Sequence, residues 1–256
     1  MKKDIAKDMS QNNEGKERIA KVMARAGLCS RRDAERWIAD RRVAVNGAVL
    51  ESPAFTVSPS DKIIVDGKPL PQLEKTRLFV FHKPAGCVTT SRDEQDRTTV
   101  FDILPDDLPR LITVGRLDMN TEGLLLLTNN GALSRYLEMP KTGFKRRYRV
   151  RVHGYVSQSK LDKLKDGLSY EGVQYGPIEA VLETEKDRSA ANSWVGIAIR
   201  EGKNREVRNI MRALGLNVTR LIRTSYGPFT LGTLAREAVR EISADEIAKY
   251  LPDFKG

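Results

Sequence analysis

One carboxylate is set between a turn-forming glycine and a run of leucines, where a charged group gains most from being aimed at a substrate. The residues Val114-Gly115-Arg116-Leu117-Asp118-Met119-Asn120-Thr121-Glu122-Gly123 lead into Leu124–Leu127 and then Thr128-Asn129-Asn130-Gly131. The four leucines predict a short strand buried on both faces, bounded by Gly123 before it and by the Asn-Asn-Gly turn signal after it. Asp118 then sits on a loop braced by rigid core. So held, a carboxylate can act as nucleophile or base. Taken alone, the same residue also fits a plain turn former or the partner of Arg116.

Other chemistry is poorly supplied. His82 and His153 are the only histidines and Cys29 and Cys87 the only cysteines, with no C-x-x-C pair, so a His-based triad, a disulfide framework and a metal site are not indicated. No Gly-rich phosphate loop, dinucleotide fingerprint or repeat is present, and no cofactor is expected. The 44 Lys and Arg against 34 Asp and Glu give a net charge of +10. That balance points to a polyanionic partner. A membrane surface fits less well, because the basic residues are spread through folded segments and no apolar run approaches the roughly 18 residues of a span. With no secretory signal in Met1 to Gly15, a cytoplasmic protein is expected.

The elements that must position Asp118 follow from the apolar spacing. Residues 1–16 are polar and read as a disordered tail. Ile19, Val22, Met23 and Ala26 predict a helix ending at Gly27. Ser30 starts a second helix as N-cap, with Asp33 completing an imperfect capping box and Ala34, Trp37 and Ile38 on its inner face. Short strands follow at Val43–Val45, Ala48–Leu50 across Asn46-Gly47, and Lys62–Val65. This gives a small basic module over 17–68, a Pro-stiffened linker over 69–76, and a larger domain over 77–250. In the larger domain, strands and helices alternate, with a single stretch read over Val173–Thr184, and predict an α+β fold with a mixed sheet and helices on one side. Residues 245–256 fit either a helix or a tail. Nothing resembles a self-association seam, so a monomer is expected.

Several motifs carry a family resemblance that spans Glu17 to Ile242. The Gly115-Arg116-Leu117-Asp118 run resembles the signature of the RsuA-type family of bacterial rRNA pseudouridine synthases. Phe81-His82-Lys83-Pro84-Ala85-Gly86, Lys145-Arg146-Arg147-Tyr148-Arg149-Val150, Arg200 to Met211 and Leu221 to Pro228 are similar to its other motifs. Ala26 to Glu35, with Val43 to Gly47, resembles the alpha-L RNA-binding module first known from a small-subunit ribosomal protein, although Arg42 replaces its usual glycine.

The resemblance implies a small N-terminal alpha-L module followed by a synthase domain with a mixed, largely antiparallel sheet and a central catalytic cleft. It makes Asp118 the catalytic residue, Arg208 its partner, Tyr148 the platform that stacks on the target base, and Leu221 a pocket wall. From the pattern alone, Tyr148 and Leu221 also read as core residues, and the Lys-Pro segment as a proline turn. Arg18, Lys21, Arg25, Ser30, Arg31, Arg32 and Arg36, with Arg116, Lys203 and Arg205, are the expected RNA contacts. Glu206 resembles the RluB branch, which modifies large-subunit rRNA, as free RNA or in an assembly intermediate. A small-subunit rRNA target, or a non-catalytic rRNA-binding assembly factor, is the alternative. Asp118, Tyr148 and Arg208 occurring together argue against a pure binding protein.

Overall fold

Helical spacing of small and branched apolar residues builds the first unit around its own core. The computed structural model describes residues 16–183 and 192–254, so the expected N-terminal tail lies, except for Lys16, outside the described residues. The chain divides into two units after Lys75. In the first, β1 (Glu17–Arg18), α1 (Ile19–Arg25) and α2 (Arg31–Ala39) precede β2 (Val43–Val45), β3 (Ala48–Val49), β4 (Thr56–Val57), β5 (Ile63–Val65) and β6 (Lys68–Pro69). Strands β3-β2-β5-β6 form one sheet and β1 pairs with β4.

Ile19, Met23, Ala34, Ile38 and Val43 are fully buried. The capping box at Ser30 is complete: its hydroxyl accepts from Asp33 N at 3.0 Å while its own N donates to Asp33 Oδ2 at 3.2 Å. The turn into β2 uses Arg41 in the left-handed region, φ 58°, and Arg42 beside it stacks on Trp37 at 4.7 Å. Pro69, expected in the linker, is the second residue of β6, and Leu70 packs against the core.

The second unit contains β7 (Leu78–Lys83), β8 (Ile112–Val114), β9 (Glu122–Thr128), α3 (Gly131–Glu138), β10 (Arg146–His153), α4 (Gln158–Asp162), β11 (Leu168–Tyr170), β12 (Val173–Tyr175), β13 (Glu179–Leu182), β14 (Asn192–Ile199), α5 (Glu206–Ala213), β15 (Asn217–Tyr226), β16 (Phe229–Thr230), β17 (Val239–Ile242) and α6 (Ala244–Tyr250). A nine-stranded sheet runs β13-β14-β10-β15-β9-β7-β17, with β16 on β15 and β8 on β9. The leucine run is as buried as its composition predicts: every residue of β9 is buried, and the strand extends back through Gly123 to Glu122. The single stretch expected over 173–184 splits at Gly176-Pro177 into β12 and β13, because proline removes a ladder donor.

The expectation of helices on one side is corrected by the two faces of β15. Leu221 packs with Leu161 of α4 and with Val207 and Ile210 of α5. Its neighbour Ile222, which faces the other way, packs with Leu133 and Leu137 of α3 and Ile247 of α6. Helices therefore cover opposite faces of the two halves of the sheet. The apolar alternation along any one strand is the same whichever face a helix covers, so the sequence pattern does not distinguish the two arrangements.

The halves meet at β9 and β15, which pair in parallel through Ile222↔Glu122 and Arg223↔Gly123, whereas the other described strand pairs of this sheet are antiparallel. Gly123 has φ +102°, and a Cβ there would lie 2.3 Å from Arg223 O. Beside it, Glu122 is 6% exposed and accepts from Arg220 Nε and Nη2 at 2.8 and 2.9 Å and from Arg236 Nη2 at 2.7 Å. The Arg220 hydrogen bonds, opposed by burial, hold its carboxyl below the ordinary range.

Gly123→Ala is expected to destabilise the second unit by about 3 kcal/mol or more, through both the left-handed backbone and the steric overlap, read as a lowered urea midpoint. Because its folded pKa is depressed, Glu122 contributes stability that is complete above the ordinary carboxylate range and is lost as pH falls through the lowered value. Glu122→Gln is therefore expected to cost about 2 kcal/mol at pH 7 and progressively less in acid, checked by urea titrations from neutral pH down to about pH 3.

Candidate active site

The loop between β8 and β9 is fixed through its backbone. Leu117 O accepts from Thr89 Oγ1 at 2.8 Å and Asp118 O from Thr121 N at 3.0 Å. Met119 O accepts from Gly86 N at 2.8 Å, Asn120 O from Arg208 Nη2 at 2.7 Å, and Thr121 O from Lys83 Nζ at 3.1 Å. Leu117, 6% exposed, anchors the loop in the core beside Phe81 and Leu125. The backbone carbonyls are thus satisfied from Leu117 to Thr121, and the Asp118 side chain is left one-third exposed.

Lys83 is the brace that sequence reasoning missed. It ends β7 with no exposed surface, and its ammonium donates to Pro84 O at 2.9 Å, Met119 O at 3.3 Å and Thr121 O at 3.1 Å. Three donors meet three carbonyls. Burial pushes its pKa down, and the carboxylates of Asp118 and Glu122 are among the groups opposing that shift. The strand-end Lys-Pro segment is therefore more than a proline turn. Its place at the end of an apolar strand, directly before a proline, was the available signal, since a lysine buried there must find acceptors.

Asp118 Oδ2 lies 3.8 Å from Arg205 Nη1 and 3.9 Å from Arg208 Nε. Among the described residues these two, and not Arg116, are its ion-pair partners, so the simple Arg116 pairing is replaced. Arg208 projects from the first turn of α5, with Nε buried and without a hydrogen bond. Burial, followed by the charge of Arg205, pulls its pKa down, and Asp118 opposes this. An arginine remains cationic under such conditions. Arg205 holds a left-handed backbone, φ 50°, at the N-cap of α5, which turns the chain so that both guanidinium groups reach the carboxylate.

The carboxylate opens on a cleft of about 700 Å³ whose wall includes Arg116, Asp118, Arg146, Tyr148, Lys203, Arg205, Arg208, Leu221 and Arg223. Every site residue expected in the second unit is therefore gathered there. Tyr148 lies on the inward face of β10 with Val150 and Val152, 9% exposed, in register with Arg223 across the β10–β15 ladder. Leu221 is 4% exposed on the same face. Arg116 is exposed beside Asp118.

Two arginines absent from the expected set also line the cleft. Arg146 donates to the carbonyls of Arg200 and Glu201 at 2.8 and 2.7 Å and to Tyr226 Oη at 3.0 Å. Arg223, 3% exposed, donates to Leu124 O at 2.7 Å and keeps Nη2 unpartnered. Glu206 is buried at the start of α5, accepts from Lys203 N at 2.8 Å, and is pushed up by burial.

The remaining expected contacts belong to the first unit. Arg18, Arg31 and Arg32 are exposed and Arg36 pairs with Asp33 at 2.8 Å. Lys21 and Arg25 are half-buried on Glu17, the latter at 3.2 Å, and the Ser30 hydroxyl is committed to Asp33. No described cluster of three His, Cys, Asp or Glu side chains is placed to hold a metal ion, and no described helix is long and apolar enough to cross a membrane.

Comparison with known proteins adds an independent line. The chain matches the S4 domain model over residues 17–63. It is 44% identical to an uncharacterised RNA pseudouridine synthase of Rickettsia felis over 227 residues, covering 89% of this chain and 97% of that one. It is 40% identical to the ribosomal large subunit pseudouridine synthase B of Pseudomonas aeruginosa, covering 90% of this chain and 61% of that protein, and 40% identical to its namesake in Pasteurella multocida, covering 94% and 70%. A crystal structure of a pseudouridylate synthase, 28% identical, superposes with a TM-score of 0.63 over 91% of this chain and 99% of that one. The RNA pseudouridylate synthase model itself matches residues 77–213, more than half of the chain and all of the cleft except the strand that carries Leu221 and Arg223, and the chain belongs to that family.

Proposed function

We propose that this protein isomerises one uridine of large-subunit rRNA to pseudouridine, with Asp118 as the catalytic carboxylate. The observation that carries this reading is an ionisable carboxylate, paired with Arg205 and Arg208, at the edge of a basic cleft walled by Tyr148. The reaction breaks the N1–C1′ bond, turns the base over and joins C5 to C1′, with loss of the C5 hydrogen to solvent and no net change in composition. Attack on C1′ and removal of the C2′ proton both require an ionised carboxylate. Arg205 and Arg208, 3.8 and 3.9 Å from the carboxylate, hold its aim toward the cleft.

The uridine must leave its stack to reach Asp118, and the Tyr148 ring offers it a stacking surface. The cleft cations bind phosphates beside the uridine, and Arg18, Arg31, Arg32 and Arg36 of the S4 unit make a separate phosphate contact with the RNA. The large subunit is favoured by the names of the Pseudomonas and Pasteurella relatives and by Glu206 in Asn204-Arg205-Glu206-Val207-Arg208.

Transcripts of large- and small-subunit rRNA labelled with tritium at uridine C5 test this. Wild-type protein is expected to release label from the large-subunit RNA alone, at one mapped position. Asp118→Asn is expected to release it at about one-thousandth of that rate or less while binding RNA as before. Release from an Asp118→Asn protein at the wild-type rate would remove the catalytic assignment. Lys83→Met, which deletes the brace under the loop, is expected to lower kcat by about tenfold or more with little change in KM, measured by the same release.

A further inference from the structure

We propose that the sheet carries a second RNA-backbone contact, on the face opposite the cleft. Along β10, inward Tyr148, Val150 and Val152 alternate with exposed Arg147, Arg149 and Arg151. The helices of this half, α4 and α5, cover the inward face. Around Arg149 and Arg151 the outward neighbours include Gly196 and Trp194 on β14 and Arg220 on β15, all partly exposed, whereas Arg147 lies between buried Ala198 and Ser225. Val181 of β13 is 60% exposed at its edge. No described helix packs over these positions.

The charges on this face are unbalanced. Arg149 is bonded to Glu183 at 2.7 Å and stacks on Trp194 at 4.7 Å, Arg220 is held by Glu122, and Glu179 is bonded to Lys145 at 2.6 Å. The side chains of Arg147 and Arg151 make no hydrogen bond or close ion pair with any described residue, although the Arg147 charge, after Lys145, helps hold the Glu179 carboxyl down. Arg147 and Arg151 stand four residues apart on one strand face, about 13.6 Å from each other, and Arg151 lies directly opposite Arg220, a like-charge pairing that opposes folding. A polyanion running along the strand relieves it, its phosphates meeting Arg147 and Arg151 on either side of the Arg149–Glu183 pair. The partner is therefore a stretch of RNA outside the segment held in the cleft. This rests on the reading that the substrate is a long rRNA.

The test is the full-length double variant Arg147→Gln/Arg151→Gln, measured on protein-free large-subunit rRNA transcript and on a short hairpin excised around the mapped uridine. Filter binding to the long transcript is expected to weaken about tenfold near 0.15 M salt, and the slope of log affinity against log salt to become shallower by about 1.5. Turnover at saturating long RNA, and kcat/KM on the hairpin, are expected to match wild type. Unchanged affinity and salt slope would overturn the proposal, and would leave the face solvated or to a protein partner. A parallel loss on the hairpin would also overturn it, because the substitutions would then act through the cleft or the fold. If no transcript is modified by the wild type, the functional reading fails, while the salt slope still decides this one.

Discussion

The two halves of the synthase sheet are joined by a parallel contact of two residue pairs, and that contact exists only because one backbone passes where a side chain would stand. At Gly123 the strand lies against the peptide of Arg223 too closely for any Cβ. The halves contribute different parts of the cleft. The β7–β9 half supplies Lys83 and the loop bearing Asp118, and the β10–β15 half supplies Tyr148, Leu221, Arg223 and, through α5, Arg205 and Arg208. The carboxylate and its cations are therefore in register only while the seam is closed. Glu122 fastens the seam from its other side by drawing in Arg220 of the partner half and Arg236 beyond it.

Charge within the site is distributed so that burial works with function. Lys83 is hidden and satisfied by carbonyls, Arg208 is half-hidden with an unused donor, and Asp118 is one-third exposed on the cleft. A carboxylate facing two guanidinium groups at nearly 4 Å is attracted without being locked into short hydrogen bonds. Its lone pairs remain available when substrate arrives. Tighter pairing would stabilise the resting protein and oppose the reaction.

Much of this was legible in the sequence, for reasons that differ by residue. Four leucines in a row announce a doubly buried strand without help from the rest of the fold, and Ser30 with Asp33 announces a cap. The braced loop that holds Asp118 was legible because a glycine turn and that strand bracket it, while the role proposed for the carboxylate came from the family resemblance. Lys83, Glu122 and Arg223 were not read as structural, because each looks polar in sequence and becomes interior only through partners 38 to 99 residues away, at Thr121, Arg220 and Leu124. The helices on both faces of the sheet were likewise invisible, since Leu221 and Ile222 are equally apolar and only the fold assigns them to different layers. Strand β17 was missed because it is a short edge strand with charges at its centre, and helix α6, which has no buried residue, was left open between a helix and a tail.

The ammonium of Lys83, coordinated by three backbone carbonyls, occupies the kind of oxygen cage in which other folds place a dissolved alkali cation. Here the ion is covalently supplied. It neither dissociates nor competes with the ions that surround RNA, so the order of the Asp118 loop does not vary with the ionic composition of the medium. The protein thereby separates two quantities that share one electrostatic environment: how strongly RNA is held, which must respond to salt, and how accurately the carboxylate is aimed, which need not.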